Sequence, residues 1–143
     1  SLWKSLGSQI EIMSPERRDK VIAITSHLPH LIAYNIVSTA ADLEDVTKSD
    51  IIKYSASGFR DFTRIASSDP TMWRDIFLNN KEAVLEMIGR FSEDLSALQK
   101  AVRWEDGDSL FKLFSRTKKI REKIITAGQD TDVADFGRSK RIK

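Results

Sequence analysis

The sequence predicts an all-α fold with one long, buried and kinked helix and, further along, an antiparallel helical pair. Only three prolines and six glycines interrupt the 143 residues, and no stretch alternates apolar and polar residues for long. One segment is apolar on nearly every helical face, and two later segments carry apolar residues at steps of three and four. The length suffices to bury a core, so we treat residues 1–143 as one helical domain.

Capping residues predict where the first helices begin and end. Residues 1–6 are typical of the end of a helix that stops near Gly7, and residues 9–13 of a short extended connection. Ser14 then caps a helix that begins with Pro15, because a serine side chain accepts from free helix amides and proline needs no donor at that position.

The long helix covers residues 21–41, which are apolar nearly all round. Such a helix is buried in a larger core or covered by another subunit, and a chain of 143 residues would struggle to cover it alone. We therefore expect a homodimer. Pro29 lies within this helix and has no backbone N–H, and its ring displaces the carbonyl of Thr25, so a kink is expected there.

Between residues 42 and 80 the pattern predicts short elements. They are a loop over 42–50, a short apolar segment over 51–54, a turn over 55–58 and a helix over 59–66. A further helix is capped at Ser68-Asp69, begins at Pro70, runs to about Leu78 and is ended by Asn79-Asn80.

The antiparallel pair follows from two apolar stripes. The first steps by four and three from Val84 to Val102, and the second from Leu110 to Ile124, with a turn at 106–108 between them. This spacing is typical of long helices that pack at a shallow angle. Gly128 is expected to end the second helix, and residues 129–143 form a polar tail.

Composition excludes several classes of protein. The net charge is only +2, and the basic residues at 138–143 are typical of a solvated tail, so neither nucleic acid nor a membrane is expected as a partner. No apolar run approaches the roughly 20 residues that span a bilayer, and the first residues do not resemble a signal peptide. The chain has no cysteine, which is compatible with a cytoplasmic location. It also lacks an initiator methionine, which is expected of a segment of a longer protein.

His27 and His30 lie three residues apart on one face of the long helix. Two imidazoles without a nearby acid are a weak pattern for zinc, so no metal site is expected. Two interpretations stay open on spacing alone. The pair is either two hydrogen-bonded core histidines, or a polar notch beside Pro29 that donates to an anionic ligand and changes charge near neutral pH.

Arg60 and Arg64 lie four residues apart and face the same way on a helix, with Asp61 beside them. Arg64 lies among Phe62, Ile65 and Ala66, so it is expected to be semi-buried and to need a carboxylate partner. A bidentate arginine is a natural clamp for a dicarboxylate substrate. The alternative is an intrahelical ion-pair network formed with the neighbouring aspartates, Asp61, Asp69 and Asp75. Trp73 is typical of a core or an interface.

Two runs of sequence resemble one enzyme family. Residues 26–30 read Ser-His-Leu-Pro-His, and residues 58–75 read Gly-Phe-Arg-Asp-Phe-Thr-Arg-Ile-Ala-Ser-Ser-Asp-Pro-Thr-Met-Trp-Arg-Asp. With the Asn-Lys that follows, they resemble the C-terminal domain of prephenate (cyclohexadienyl) dehydrogenases over about residues 13–100. The resemblance implies an all-helical domain like the C-terminal domain of 6-phosphogluconate dehydrogenase, which dimerises and closes the substrate site. It also implies NAD or NADP, bound mainly by an upstream nucleotide-binding domain that this chain lacks.

The resemblance also implies roles for individual residues. Arg64 resembles the arginine that grips a substrate carboxylate, and His30 the histidine that lies near the substrate side chain and senses tyrosine. Ser26 and His27 would line the same pocket. Arg60 stands where the family has a basic residue.

Two further residues, Asp61 and Trp73, would complete a polar gate from the other subunit of the dimer. The family's general-base histidine belongs to the upstream domain, so this segment alone is expected to be inactive. The pair Arg18-Asp19 stands where the family often has His-Asp, so any role of that histidine is lost.

The function implied is therefore the C-terminal part of a prephenate or arogenate dehydrogenase of tyrosine biosynthesis, which oxidises and decarboxylates prephenate or arogenate with NAD(P). The alternative is a non-enzymatic helical interaction module that dimerises through the stripes at 84–102 and 110–124, since such stripes specify packing and not chemistry. The cofactor, the preferred substrate and inhibition by tyrosine are not specified by these residues.

Overall fold

The computed structural model describes residues 11–42 and 57–127. The chain divides into two units, Ser1–Arg90 and Phe91–Lys143. The described helices are α1 (Pro15–Ile22), α2 (Leu28–Ala41), α3 (Ser57–Thr63), α4 (Pro70–Asn79), α5 (Lys81–Arg103) and α6 (Gly107–Thr126), with a π turn (Ala23–His27) and a 3₁₀ turn (Arg64–Ser67). No strand occurs in the described ranges, so the predicted all-α class is confirmed.

The predicted start of α1 is confirmed. The Ser14 hydroxyl oxygen accepts from the Arg17 backbone N–H at 3.2 Å, and Pro15 is the first helical residue. Residues 11–13 before the cap are not helical, as expected of a connection.

A kink was predicted at Pro29, and the structure has a π turn, Ala23–His27, just before that residue. The Leu28 N–H donates to the carbonyl of Ala23, five residues back, so this turn holds one residue more than an α-helical turn. It ends just before Pro29, which has no N–H to offer to the Thr25 carbonyl. The π turn carries Ser26 and His27, both candidate site residues.

The long helical stretch is less buried than expected. Ala23, Leu28 and Ala33 are buried, whereas Val21, Ile22, Ile24, Ile36 and Val37 are exposed. Of the two alternatives, the chain's own core does not cover this outer face among the described residues, and cover by a second subunit stays a prediction. The 27 residues Pro15–Ala41 are also long and apolar enough to cross a membrane by length and composition, which corrects the sequence expectation. Core helices of soluble proteins share these properties.

The elements after α2 begin and end slightly differently from their predicted bounds. Ser57 and Gly58 belong to α3 and not to a turn, and α3 passes into the 3₁₀ turn at Arg64. The predicted cap of α4 is confirmed, because the Asp69 carboxylate accepts from the Met72 N–H at 2.7 Å. Asn80 separates α4 from α5, as predicted.

The first unit has a small apolar core to which α2, α4 and α5 contribute. Its buried apolar residues are Ala23, Leu28, Ala33, Trp73, Ala83, Val84 and Met87. An ion pair of 2.9 Å between Lys20 Nζ and Glu86 Oε2 also joins α1 to α5.

In the second unit, α5, α6 and the connection between them keep large apolar side chains exposed. They are Leu95, Val102, Trp104, Phe111, Phe114, Ile120 and Ile124. The helices are joined by residues 104–106, and the Asp106 carboxylate caps α6 by accepting from the Ser109 N–H at 3.0 Å. The predicted turn therefore lies slightly earlier, and the antiparallel packing of these helices stays a prediction.

Several expectations fall outside the described residues. They concern residues 1–10, the loop and apolar segment within 43–56, and the chain from Gly128 to the end of the polar tail.

Candidate functional site

Four rings from two helical segments form what we call the His–Trp cluster: His27, His30, Trp73 and Phe77. The imidazole of His30 stacks on the Trp73 indole, with ring centroids 3.6 Å apart and planes 21° from parallel. His27 meets Trp73 and Phe77 edge-on, at centroid distances of 6.1 and 6.3 Å. The structure thus brings both predicted histidines and the predicted tryptophan into one group.

The π turn and α2 set the orientation of His30. Its Nδ1 lies 2.9 Å from the carbonyl oxygen of Ser26, one turn earlier. Because a carbonyl only accepts, Nδ1 is the ring nitrogen that donates. In the neutral ring Nε2 is then an acceptor, and it gains a proton when the ring is charged. Ser26 therefore acts on the site through its backbone.

His27 is held by Asn80, whose place in the sequence predicts only the end of a helix. The side-chain nitrogen of Asn80 lies 3.1 Å from the Asp19 carbonyl oxygen and 3.2 Å from His27 Nδ1. The Asp19 carbonyl identifies this atom as the amide nitrogen, which donates to both partners. His27 Nδ1 therefore accepts, and the proton of the neutral ring lies on Nε2.

Burial lowers the pKa of His27, whose side chain is 8% exposed. Desolvation is the main cause, repulsion from His30 adds to it, and Asp19 opposes it. His27 therefore fits the interpretation as a hydrogen-bonded core histidine. His30 is half-buried and fits that interpretation less well.

This lowered pKa predicts a pH dependence of stability. Between the folded pKa of His27 and the unfolded value near 6.5, the unfolded chain binds more protons than the folded one. The free energy of unfolding is therefore expected to fall as pH drops below about 6.5. Urea unfolding at pH 8 to 5 measures the fall, and NMR titration assigns it to His27. A His27 midpoint at or above that of free histidine would contradict the prediction.

Trp73 is 7% exposed, and its Nε1 is a buried donor without a hydrogen-bond partner among the described residues. A cavity of about 310 Å³ lies beside its ring. Residues of α2 and α4 line it: Leu31, Tyr34, Pro70, Trp73, Arg74 and Phe77. Trp73 is predicted to act from the other subunit of the dimer. Within one chain it contacts His30.

Arg64 is exposed, so the expectation of a semi-buried guanidinium is wrong. Within residues 11–42 and 57–127 its side chain makes no hydrogen bond or ion pair. The alternative ion-pair network does not hold it either, because Asp69 caps α4 and Asp75 pairs with Arg74 at 2.8 Å. Among the described residues, then, nothing competes with an anion for the Arg64 side chain.

A hydrogen bond fixes the position of the 3₁₀ turn that begins at Arg64. The Tyr34 hydroxyl, one turn beyond His30 on α2, donates to the Ser68 carbonyl oxygen at 2.7 Å. Arg64 and His30 thus lie on elements that pack together, although the structure gives them no direct contact. Arg60 is exposed and Asp61 half-buried on α3, and neither joins the His–Trp cluster.

The described ranges contain no group of three or more His, Asp or Glu side chains placed to hold a metal ion. They also contain no strand that leads through a glycine-rich turn into a helix. Such a turn holds the phosphates of a dinucleotide in many nucleotide-binding domains.

Comparison with known protein families gives one match that spans both sequence motifs. The family described as prephenate dehydrogenase, dimerization domain, matches residues 14–116. Among curated relatives, cyclohexadienyl dehydrogenase of Zymomonas mobilis is 42% identical over 124 residues, which are 87% of this chain and 42% of that protein. Prephenate dehydrogenase of Bacillus subtilis is 36% identical over 122 residues, which are 85% and 33% of the two chains.

Solved structures of prephenate and arogenate dehydrogenases are also similar to this chain. Prephenate dehydrogenase of Aquifex aeolicus, in complex with hydroxyphenyl propionate and NAD+, superposes with a TM-score of 0.77 at 42% identity, over 86% of this chain and 43% of that one. Arogenate dehydrogenase of Synechocystis superposes with a TM-score of 0.76 at 26% identity, over 84% and 44%. The chain thus spans less than half the length of these relatives.

Proposed function

Because this chain belongs to the prephenate dehydrogenase dimerization-domain family, we propose that it is the C-terminal, substrate-binding part of a prephenate or arogenate dehydrogenase. The observation that carries the proposal is the family match over residues 14–116, which includes the His–Trp cluster and Arg64. The full-length protein would oxidise the ring hydroxyl of its substrate by hydride transfer to NAD(P)+, and loss of carbon dioxide would leave an aromatic ring. It would act in tyrosine biosynthesis in the cytoplasm.

The described residues support binding of an anionic substrate. Arg64 is exposed and has no partner in the described ranges, so no internal ion pair must break before it grips a carboxylate. His30 lies on the adjacent α2, and its Nε2 is not used by the hydrogen bond to Ser26. We assign Arg64 to a carboxylate and His30 to the substrate side chain. Ser26, His27 and Arg60 would complete the surroundings.

The nicotinamide cofactor would be held mainly by an upstream domain, since the described residues contain no strand that leads through a glycine-rich turn into a helix. The Aquifex relative was crystallised with NAD+, which favours NAD over NADP. The general base would also lie outside this chain, so the segment alone would be inactive.

Exposed apolar side chains support a homodimer. The outer face of the long stretch, at Val21, Ile24, Ile36 and Val37, is uncovered within one chain. Burying such side chains against a second copy would contribute about 25 cal/mol for each Å² removed from water. The same exposed faces favour the alternative function, a non-enzymatic interaction module, which has no reason to bind prephenate or tyrosine. In the dimer, Asp61 and Trp73 would reach the partner's site.

The test is nicotinamide reduction by the full-length protein with prephenate or arogenate and with NAD+ or NADP+. We expect turnover with at least one pair, and suppression by tyrosine if His30 senses this feedback inhibitor. The substrate that gives the higher kcat/KM identifies the preference. No turnover in any combination, together with no binding of prephenate or tyrosine, would leave the interaction module as the function.

A further inference from the structure

We propose that Asn80 is a positioning residue, which fixes His27 as the neutral Nε2–H tautomer and so presents a constant N–H donor within the His–Trp cluster. The effect of Asn80 on substrate binding rests on the proposed function. The tautomer itself is a property of the fold.

The backbone of Asn80 is fixed from both sides. Its N–H donates to the Ile76 carbonyl at 3.1 Å, which closes the last turn of α4, and its own carbonyl accepts from the Val84 N–H at 3.0 Å, which opens α5. The side chain attached to this fixed backbone has few accessible orientations. The Asn80 amide is therefore pre-oriented toward α1 and the π turn.

The two hydrogens of the amide match two acceptors that lie far apart in sequence. One is the Asp19 carbonyl, 61 residues away, and the other is Nδ1 of His27, 53 residues away. A carboxylate at position 80 would offer no hydrogen to either acceptor, and an apolar side chain would leave both without a partner. Asparagine thus gives both acceptors a hydrogen-bond donor. Its isostere aspartate could only accept a hydrogen bond from His27.

A protonated His27 would point a second donor at the Asn80 amide, so the amide opposes the charged ring. The charged groups that act on His27 are His30, one turn on, and Asp19 of α1. The rings of α4 that pack on it, Trp73 and Phe77, do not titrate.

The experiment measures the tautomer and titration of His27 by ¹⁵N and ¹³C NMR in the full-length protein. The His27 signals are assigned by their loss in His27→Gln. We expect wild-type His27 to carry its proton on Nε2. In Asn80→Asp, the carboxylate accepts from a protonated Nδ1, and the His27 midpoint is expected to rise by about one pH unit or more.

Asn79→Asp is the matched control. It places the same charge on the neighbouring residue, whose exposed side chain donates to the Asp75 carbonyl and not to a histidine. We expect it to leave the His27 tautomer unchanged. A wild-type His27 with its proton on Nδ1 would overturn the proposal without any variant. So would equal midpoint shifts in the two aspartate variants, since that result would show only a general effect of charge.

Kinetics separate this inference from the proposed function. In Asn80→Asp we expect KM for the substrate to rise about tenfold, and in Asn79→Asp to stay unchanged. An unchanged KM beside a raised His27 midpoint would overturn the role in substrate binding. If the wild-type enzyme shows no turnover, the proposed function fails, and the NMR result alone decides whether Asn80 sets the tautomer.

Discussion

Replacing Trp73 with alanine is expected to lower the free energy of unfolding by about 3–5 kcal/mol, the cost typical of removing a buried aromatic side chain. The indole is 7% exposed and contacts three rings: it stacks on His30, meets His27 edge-on and lies 5.5 Å from Phe77. Alanine would remove these contacts and leave a hole beside the existing cavity, which α2 and α4 already line. The site would therefore lose its shape together with its stability.

Trp104→Ala provides the matched control, because Trp104 is 72% exposed and lies in the connection between α5 and α6. Its loss is expected to change stability by about 0.5 kcal/mol or less. Urea unfolding of both variants at one fixed protein concentration gives the comparison, since association would otherwise shift the midpoint. Equal losses in the two variants would show that Trp73 is not the aromatic centre of this core.

Features that depend on neighbouring residues could be predicted from the sequence. The caps at Ser14 and Asp69 are local, since each side chain accepts from an amide three residues ahead. The interruption before Pro29 is local as well, because a missing N–H acts on its own helix. The caps were confirmed for this reason, and a π turn precedes the proline at which a kink was predicted.

Features that depend on distant residues could not be predicted. The sequence placed His27 and His30 on one face, but the stacking of His30 on Trp73 joins residues of separate helices. The bond from Asn80 to His27 spans 53 residues, and Asn80 at the end of a helix gave only the signal of a break. An asparagine a few residues after a site motif is a candidate to form a hydrogen bond with a side chain of that site.

Burial was the least predictable property. Periodicity shows which face of a helix is apolar, but it does not show what covers that face. The exposure of Val21, Ile24, Ile36 and Val37 could therefore not be predicted from the sequence. Arg64 was expected to be semi-buried because its neighbours are apolar, yet it begins a 3₁₀ turn and is exposed. Its exposure supports its role as a candidate, because an exposed arginine with no ion pair to another described residue can bind a carboxylate.

Arg64→Ala in the full-length enzyme is expected to raise KM for prephenate or arogenate by about 10- to 100-fold. A hydrogen bond to a charged group is worth about 1.5–3 kcal/mol, and each 1.4 kcal/mol corresponds to a factor of ten. The fold should be unaffected, because in the described ranges the Arg64 side chain has no partner to lose.

Two further variants distinguish a clamp from a general effect of charge. Arg64→Lys keeps the charge but lacks the planar fork that meets both carboxylate oxygens, so it is expected to recover only part of the affinity. Arg90→Ala removes an equal charge from α5, where Arg90 pairs with Glu86 at 3.2 Å, and is expected to leave KM unchanged. Equal rises in KM for Arg64→Ala and Arg90→Ala would indicate that the substrate responds to net charge. An unchanged KM in Arg64→Ala would remove Arg64 from the site, because a carboxylate held at this position cannot lose its partner without losing affinity.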